Sequence, residues 1–92
     1  MNTQEFEASL RADHYGEIVT VSKPVGYAMG EHQHPFDACA LITDGAIAIT
    51  VAGVERSYGV GDTFRLAAGT PHLESAVAHG VTYLVGRRQP SQ

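Results

Sequence analysis

Cysteine and basic residues are both scarce in this sequence. It contains one cysteine, Cys39, which excludes a disulfide within the chain. Six Lys and Arg against ten Asp and Glu give a formal net charge of −4 at pH 7, and Arg87-Arg88 is the only adjacent basic pair. Because the chain has no basic patch that would follow a phosphate backbone, the sequence argues against nucleic-acid binding.

Long apolar segments are absent as well. No apolar run approaches the ~20 residues that a membrane-spanning helix needs. Residues 1–10 are polar and acidic, without the apolar core of a signal peptide. These absences predict a cytoplasmic protein with no membrane partner. The composition, 43% hydrophobic and 17% charged, is that of a folded globular protein, and 92 residues predict one domain.

Residues 1–16 are the only part of the sequence with a helical pattern. Thr3 is suited to cap the start of a short helix, because its hydroxyl can accept a bond from a free backbone N–H group. Phe6 and Leu10 lie four residues apart and would share one face. Gly16 is predicted to end this segment.

Strand-like patterns fill the segment 17–88. Apolar residues alternate with small ones over 46–51, which is the clearest strand, and 81–85 is predicted to be the last. Ala52-Gly53 has the character of a hairpin tip. Short strands separated by glycine turns favour an all-β antiparallel sandwich or barrel. Residues 89–92 are predicted to be a polar tail.

Three histidines form the most informative pattern in the sequence. His32 and His34 are two residues apart and would point to the same face of a strand, and imidazole is a ligand for several transition metals. Such a pair alone is more often a surface feature than a metal site. His72 follows the turn Gly69-Thr70-Pro71, on a distant segment that a barrel would bring opposite the pair. We therefore expect all three to bind a divalent metal.

Over residues 24–86 the sequence resembles the cupin superfamily, which has two characteristic motifs. The first motif is matched at Gly26, His32, His34 and Gly45. The second motif is matched at Gly61, Gly69 and His72. The resemblance implies a cupin jelly-roll β-barrel with the histidines facing its lumen, a divalent metal such as Zn, Fe, Ni or Mn, and a homodimer.

The sequence also departs from the cupin pattern. Where the first motif has a glutamate, this chain has Ala38, or Cys39 with a longer spacer. The second motif's proline and asparagine are replaced by Ala67 and Ala76. A site of three neutral histidines would keep the full metal charge and leave coordination positions open. We expect such a site to prefer a small anionic or chelating ligand.

Other residues near the motifs have two interpretations each. Asp37 is a candidate additional ligand or a residue that orients one, but an aspartate after a proline more often caps a turn. Cys39 is a second candidate ligand, although a small buried apolar role is more common for cysteine. Asp37 and Glu74 are the nearby candidates for a general base, and neither is singled out by its context.

Three functions are consistent with this sequence. The first is a metal-dependent enzyme, either a dioxygenase or an isomerase, acting on a small-molecule substrate. The second is a non-catalytic module that binds or senses a small molecule. In the third, the metal only stabilises a small barrel. The edge segment Glu17 to Ser22 is predicted to pair with a second copy of the chain.

Overall fold

The computed structural model describes residues 1–90, so the predicted tail at 89–92 lies partly outside the described residues. This part of the chain contains one helix and six strands. In chain order they are α1 (Thr3–Ala12), β1 (Glu17–Lys23), β2 (Ala28–His32), β3 (Asp37–Val51), β4 (Val54–Gly59), β5 (Thr63–Leu66) and β6 (His72–Arg88). None of the helical structure in these residues is long and apolar enough to cross a membrane.

The cap of α1 differs from the sequence prediction. Asn2, not Thr3, is the N-cap, because its side chain accepts a bond from the backbone N–H of Glu5 at 2.8 Å. The Glu5 carboxylate accepts the backbone N–H of Asn2 in return, which completes a capping box. The helix ends at Ala12, earlier than Gly16. Phe6 and Leu10 are its buried residues, as their spacing predicted.

Two long antiparallel strands, β3 and β6, form the centre of the sheet. Residues 37–45 of β3 pair with 81–88 of β6, and β5 and β1 flank them on either side. We call these strands the first layer. Residues 46–50 of β3 pair with 73–77 of β6, and β4 and β2 flank them. We call these strands the second layer. Both layers therefore share the same two central strands.

Glycines mark the place where the two long strands pass from one layer to the other. Gly45 has a φ of 71° and Gly80 a φ of 87°, a region that side chains disfavour. A Cβ on Gly45 would lie 2.0 Å from the carbonyl oxygen of Gly80. The register between β3 and β6 also shifts between Gly45 and Ala46. The bend thus depends on two backbones approaching more closely than a side chain would allow.

The interior between the layers is apolar. Ile42, Ile47, Ile49, Phe64 and Val85 are among the residues buried there. A second cluster lies on the outer face of the first layer, where α1 covers it; it consists of Phe6, Leu10, Tyr15, Cys39, Leu41 and Leu84. The predicted all-β barrel with a short N-terminal helix is confirmed.

Candidate metal centre

Three imidazoles lie together in the interior. His32 is the last residue of β2, and His72, the first residue of β6, is its direct cross-strand partner. His34 follows two residues after His32. One ring nitrogen from each histidine lies within 4.8 Å of the others, and the ring centroids are 4.2–5.2 Å apart. The predicted convergence of the three histidines is confirmed.

Backbone carbonyls determine which ring nitrogen of two of the histidines faces inward. Nδ1 of His32 lies 2.8 Å from the Gly30 carbonyl oxygen, and Nδ1 of His72 lies 2.9 Å from that of Thr70. A carbonyl oxygen has no proton to give, so each Nδ1 must be the donor. In a neutral imidazole the lone pair then belongs to Nε2. Both Nε2 atoms are buried and have no hydrogen-bond partner among residues 1–90.

His34 is held by an aromatic neighbour. Its ring stacks on Phe36, with centroids 4.9 Å apart and an interplanar angle of 14°. Burial lowers the pKa of His34, and the adjacent imidazoles of His32 and His72 lower it further. The neutral ring, which is the form that binds metals, is therefore favoured.

Glu74, one of the two general-base candidates from the sequence, lies beside the imidazoles. Its Oε2 is 3.6 Å from Nε2 of His72 and 3.9 Å from Nε2 of His32. These distances are too long for hydrogen bonds. The Tyr27 hydroxyl donates to the other oxygen, Oε1, at 2.6 Å. Burial and this bond raise the pKa of Tyr27.

The available sequence signal for Glu74 was its spacing. Residues two apart in a strand point to the same face, so a lumenal His72 at the start of β6 implies a lumenal Glu74. This inference required knowing that β6 begins at His72, whereas the sequence predicted a strand only from 81.

A cavity of about 210 Å³ adjoins the three histidines. Its walls are mainly apolar and aromatic, and include Val21, Phe36, Ala38, Phe64, Leu66, Tyr83 and Val85. Two cationic side chains, Lys23 and Arg87, also line it, together with the carboxylate of Glu74. Burial raises the pKa of Tyr83 to about 12, so its phenol stays protonated near neutral pH.

The structure does not bring the other two candidate ligands, Asp37 and Cys39, to the imidazoles. Asp37 Oδ1 accepts the backbone N–H of Ala68 at 2.9 Å, and Oδ2 accepts from Arg88 at 3.2 Å. These two partners hold the pKa of Asp37 below its ordinary value, the amide contributing most. Its carboxylate thus ties β3 to the loop before His72 and to the end of β6.

Cys39 belongs to the cluster beneath α1. Strand alternation explains this position, because Ala38 and Ala40 face the interior between the layers and the residue between them must face outward. Burial raises the pKa of the Cys39 thiol, which opposes formation of a thiolate ligand.

Comparison with known proteins identifies the family. The model of the cupin domain family matches residues 19–82, which include all three histidines, all of β3 and residues 72–82 of β6. The chain therefore belongs to the cupin domain family. No curated protein sequence is similar enough to this chain to be reported as a relative.

Solved structures share the fold. A conserved protein of unknown function from Streptococcus pyogenes is 31% identical, with a TM-score of 0.69; the match covers 82% of this chain and 65% of that protein. KdgF from Halomonas sp. is 22% identical, with a TM-score of 0.70, over 82% of this chain and 69% of KdgF. The DMSP lyase DddQ from Ruegeria pomeroyi DSS-3 is 28% identical, with a TM-score of 0.70, over 77% of this chain and 36% of DddQ.

The matches cover different fractions of the solved structures. The matched region spans just under two thirds of the streptococcal protein and about one third of DddQ. The match therefore covers only part of each of these two proteins.

Proposed function

We propose that this cupin binds a divalent metal through His32, His34 and His72 and receives a small anionic ligand in the adjoining cavity. The observation that carries the proposal is the pair of buried Nε2 atoms without hydrogen-bond partners. Leaving a buried polar atom unpaired costs about 1–3 kcal/mol. A cation between the rings would satisfy both lone pairs at once.

A bound proton is a poorer explanation than a metal. A proton on either Nε2 would face Glu74 Oε2 at 3.6 or 3.9 Å, beyond hydrogen-bonding distance. A single proton would leave the other Nε2 unsatisfied, and protons on both would place two positive rings with their centroids 4.2 Å apart. Like charges at such separations disfavour one another. Imidazole donors suit Zn, Fe and Ni, and Mn less selectively.

The chemistry of the cavity favours a small anion. A bound divalent metal would polarise a carbonyl or carboxylate group, or activate water or oxygen. Arg87 and Lys23 line the wall. Arg87 Nη1 already donates to Glu17 at 2.9 Å, but a guanidinium has five N–H donors, and its remaining ones can pair with a ligand carboxylate. A volume of about 210 Å³ suits a ligand of a few heavy atoms, since drug-sized ligands occupy about 300–1,000 Å³.

The enzymatic form of this proposal has support from one neighbour. DddQ, which is 28% identical to this chain, is named as a DMSP lyase. By analogy with that lyase, the enzymatic form of the proposal is a reaction on a small molecule bound in the cavity. In this chain, the corresponding role of the protein side chains would be to hold the metal, orient the ligand through Arg87 and exclude water with the apolar walls.

Metal binding is tested first. Metal-free protein should bind one equivalent of Zn, Ni or Mn ions in a calorimetric titration and melt at a higher temperature when loaded. A metal at one hundred times its Kd should add about 2.7 kcal/mol to the free energy of unfolding. His34→Ala should abolish this gain, whereas His14→Ala should keep it, because His14 is exposed and outside the cluster. Equal binding by both variants would contradict the proposal.

Ligand binding is tested on the metal-loaded protein with malonate and with malonamide, its uncharged analogue. Malonate should raise the melting temperature more than malonamide does. Arg87→Gln should weaken malonate binding at least about tenfold, since a charged hydrogen bond contributes about 1.5–3 kcal/mol. Arg56→Gln, on the exposed strand β4, is the matched control. Indistinguishable effects of the two probes would argue against an anionic ligand.

A further inference from the structure

Glu74 is a nearly buried carboxylate that faces two imidazole nitrogens rather than a cationic side chain. Its side chain is 11% exposed. Oε2 points toward Nε2 of His72 and of His32, at 3.6 and 3.9 Å. Since both Nδ1 atoms are occupied as donors to carbonyls, the neutral rings present lone pairs toward this oxygen. Lone pairs that face one another in a buried site call for a cation between them.

The distances agree with a shared metal. Two donor atoms bound to one ion at about 2.1 Å each are separated by no more than about 4.2 Å. Both Nε2–Oε2 distances fall within this limit. The ligand atoms that all lie within 4.8 Å of one another are those of the three histidines, without Glu74, so sharing the ion with His34 requires the carboxylate to shift toward it. Glu74 reaches this position because it lies two residues after His72 on β6 and so shares its face.

Tyr27 fixes the orientation of the carboxylate. Its hydroxyl donates to Oε1 at 2.6 Å, which leaves Oε2 as the oxygen that faces the imidazoles. Outer partners of this kind hold a ligating carboxylate in place and contribute to metal affinity. The strand position where the first cupin motif has glutamate is meanwhile occupied by Ala38, which lines the cavity and has no donor atom.

We propose that Glu74 is a fourth protein ligand of the metal, and that Tyr27 positions it. The carboxylate absent from β3 is thus supplied by β6, across the site. This inference rests on the proposed metal site. It implies a charge of +1 for a divalent ion with three neutral imidazoles and one carboxylate, so that an anionic ligand is still attracted. The small Ala38 side chain leaves space on the opposite wall for that ligand.

The test compares metal-free wild type, Glu74→Gln, Tyr27→Phe and Glu55→Gln. Glu55 lies exposed on β4 and controls for the loss of one negative charge. Metal affinity is measured by competition with a coloured chelator, and the ligand set by the visible absorption of bound Co²⁺. Far-UV circular dichroism of the metal-free proteins confirms that each variant is folded.

Glu74→Gln should weaken Co²⁺ and Zn²⁺ binding at least about a hundredfold and change the Co²⁺ spectrum, and Tyr27→Phe should weaken binding about tenfold. Glu55→Gln should match the wild type. If wild type binds tightly and Glu74→Gln retains both its affinity and its spectrum, the fourth ligand is wrong and the three-histidine site stands. If wild type itself binds no metal, both proposals are wrong.

Discussion

Single glycines differ in how much the fold depends on them. Gly45 and Gly53 both have positive φ values, 71° and 80°. A Cβ on Gly53 would meet nothing within 4 Å, whereas one on Gly45 would lie 2.0 Å from the Gly80 carbonyl oxygen. A side chain at either position would be strained by the positive φ. Only at Gly45 would it also clash with the neighbouring backbone.

We therefore expect Gly45→Ala to destabilise the protein far more than Gly53→Ala. The left-handed conformation alone costs about 1–2 kcal/mol, which is the loss expected at Gly53. Gly45→Ala should lose at least twice as much free energy of unfolding, because the backbone of Gly80 must move. Urea denaturation of both variants measures the difference. Losses of equal size would mean that the contact between the two bends is not important.

Individual site residues were predictable where the sequence spacing was informative. The spacings of glycine and histidine predicted that His32, His34 and His72 share one site, and the structure places these three side chains together. Asp37 was not predictable, because its partners Ala68 and Arg88 are distant in sequence. A side chain that pairs with such distant groups cannot be distinguished, from sequence alone, from one that faces a metal.

At the scale of elements, the helix α1 shows how a boundary depends on one side chain. Both Asn2 and Thr3 are residue types that cap helices. The reciprocal bonds between Asn2 and Glu5 place the cap one residue earlier than the prediction. Thr3 becomes the first helical residue.

Replacing each of the two candidate N-cap residues with alanine should change the free energy of unfolding by different amounts. Asn2→Ala should lower the free energy of unfolding by about 1 kcal/mol, the usual cost of a lost N-cap. Thr3→Ala should change it by only a few tenths, since alanine is a good helix former. Thermal denaturation followed by circular dichroism distinguishes them. A larger loss of unfolding free energy for Thr3→Ala would mean that Thr3, not Asn2, is the N-cap.

The strands show a different boundary problem. The sequence predicts short strands at 46–51 and 81–85. In the structure each segment is the end or the middle of a much longer strand, β3 (Asp37–Val51) or β6 (His72–Arg88). The sequence pattern also predicts glycine turns between such short strands. Gly45 and Gly80 instead let each strand bend while it continues. Whether a glycine ends a strand or bends it depends on the neighbouring strand. The residues adjacent to the glycine in the sequence do not indicate which strand that is.

The link from Asp37 to Ala68 and Arg88 should make stability depend on pH. Because the pKa of Asp37 is lowered below 3.8 in the folded protein, ionised Asp37 favours folding. This contribution is complete above about pH 5 and is lost as the pH falls through the folded-state pKa. Asp37→Asn should therefore melt a few degrees below wild type at pH 7, and the gap should close below pH 3.8.

Asp44→Asn is the control for this pH profile, because Asp44 is exposed and belongs to the same strand. Its melting temperature should follow wild type across the range. If the gap between wild type and Asp37→Asn stays constant down to pH 2, the ion pair and the amide bond do not account for it.

For the whole molecule, the sheet has an edge at β1. Within residues 1–90, β1 pairs with β6 on one side and ends the strand order β1-β6-β3-β4. An unpaired strand edge is a template for another strand. A two-fold axis beside β1 would let two copies continue the sheet across the interface.

We expect this protein to form a homodimer through β1. Size-exclusion chromatography with light scattering should give twice the chain mass of 9.8 kDa at micromolar concentration. Thr20→Pro, at the middle of β1, removes a backbone donor and should favour the monomer. Ser57→Pro on β4, another strand at the end of the order, is the matched control. A wild-type monomer at all concentrations would contradict the expectation.

The position of β6 in the sheet has a consequence for synthesis. β6 comes last of the strands yet pairs with β1, β2 and β3, and it contributes His72. While a ribosome is still making residues 72–88, β4 and β5 can pair with β3, but β1 and β2 lack the strand with which they pair. Sheets with such distant pairings form slowly and expose unpaired edges meanwhile. The sheet should therefore stay incomplete, and the nascent chain a client for chaperones, until β6 has left the exit tunnel.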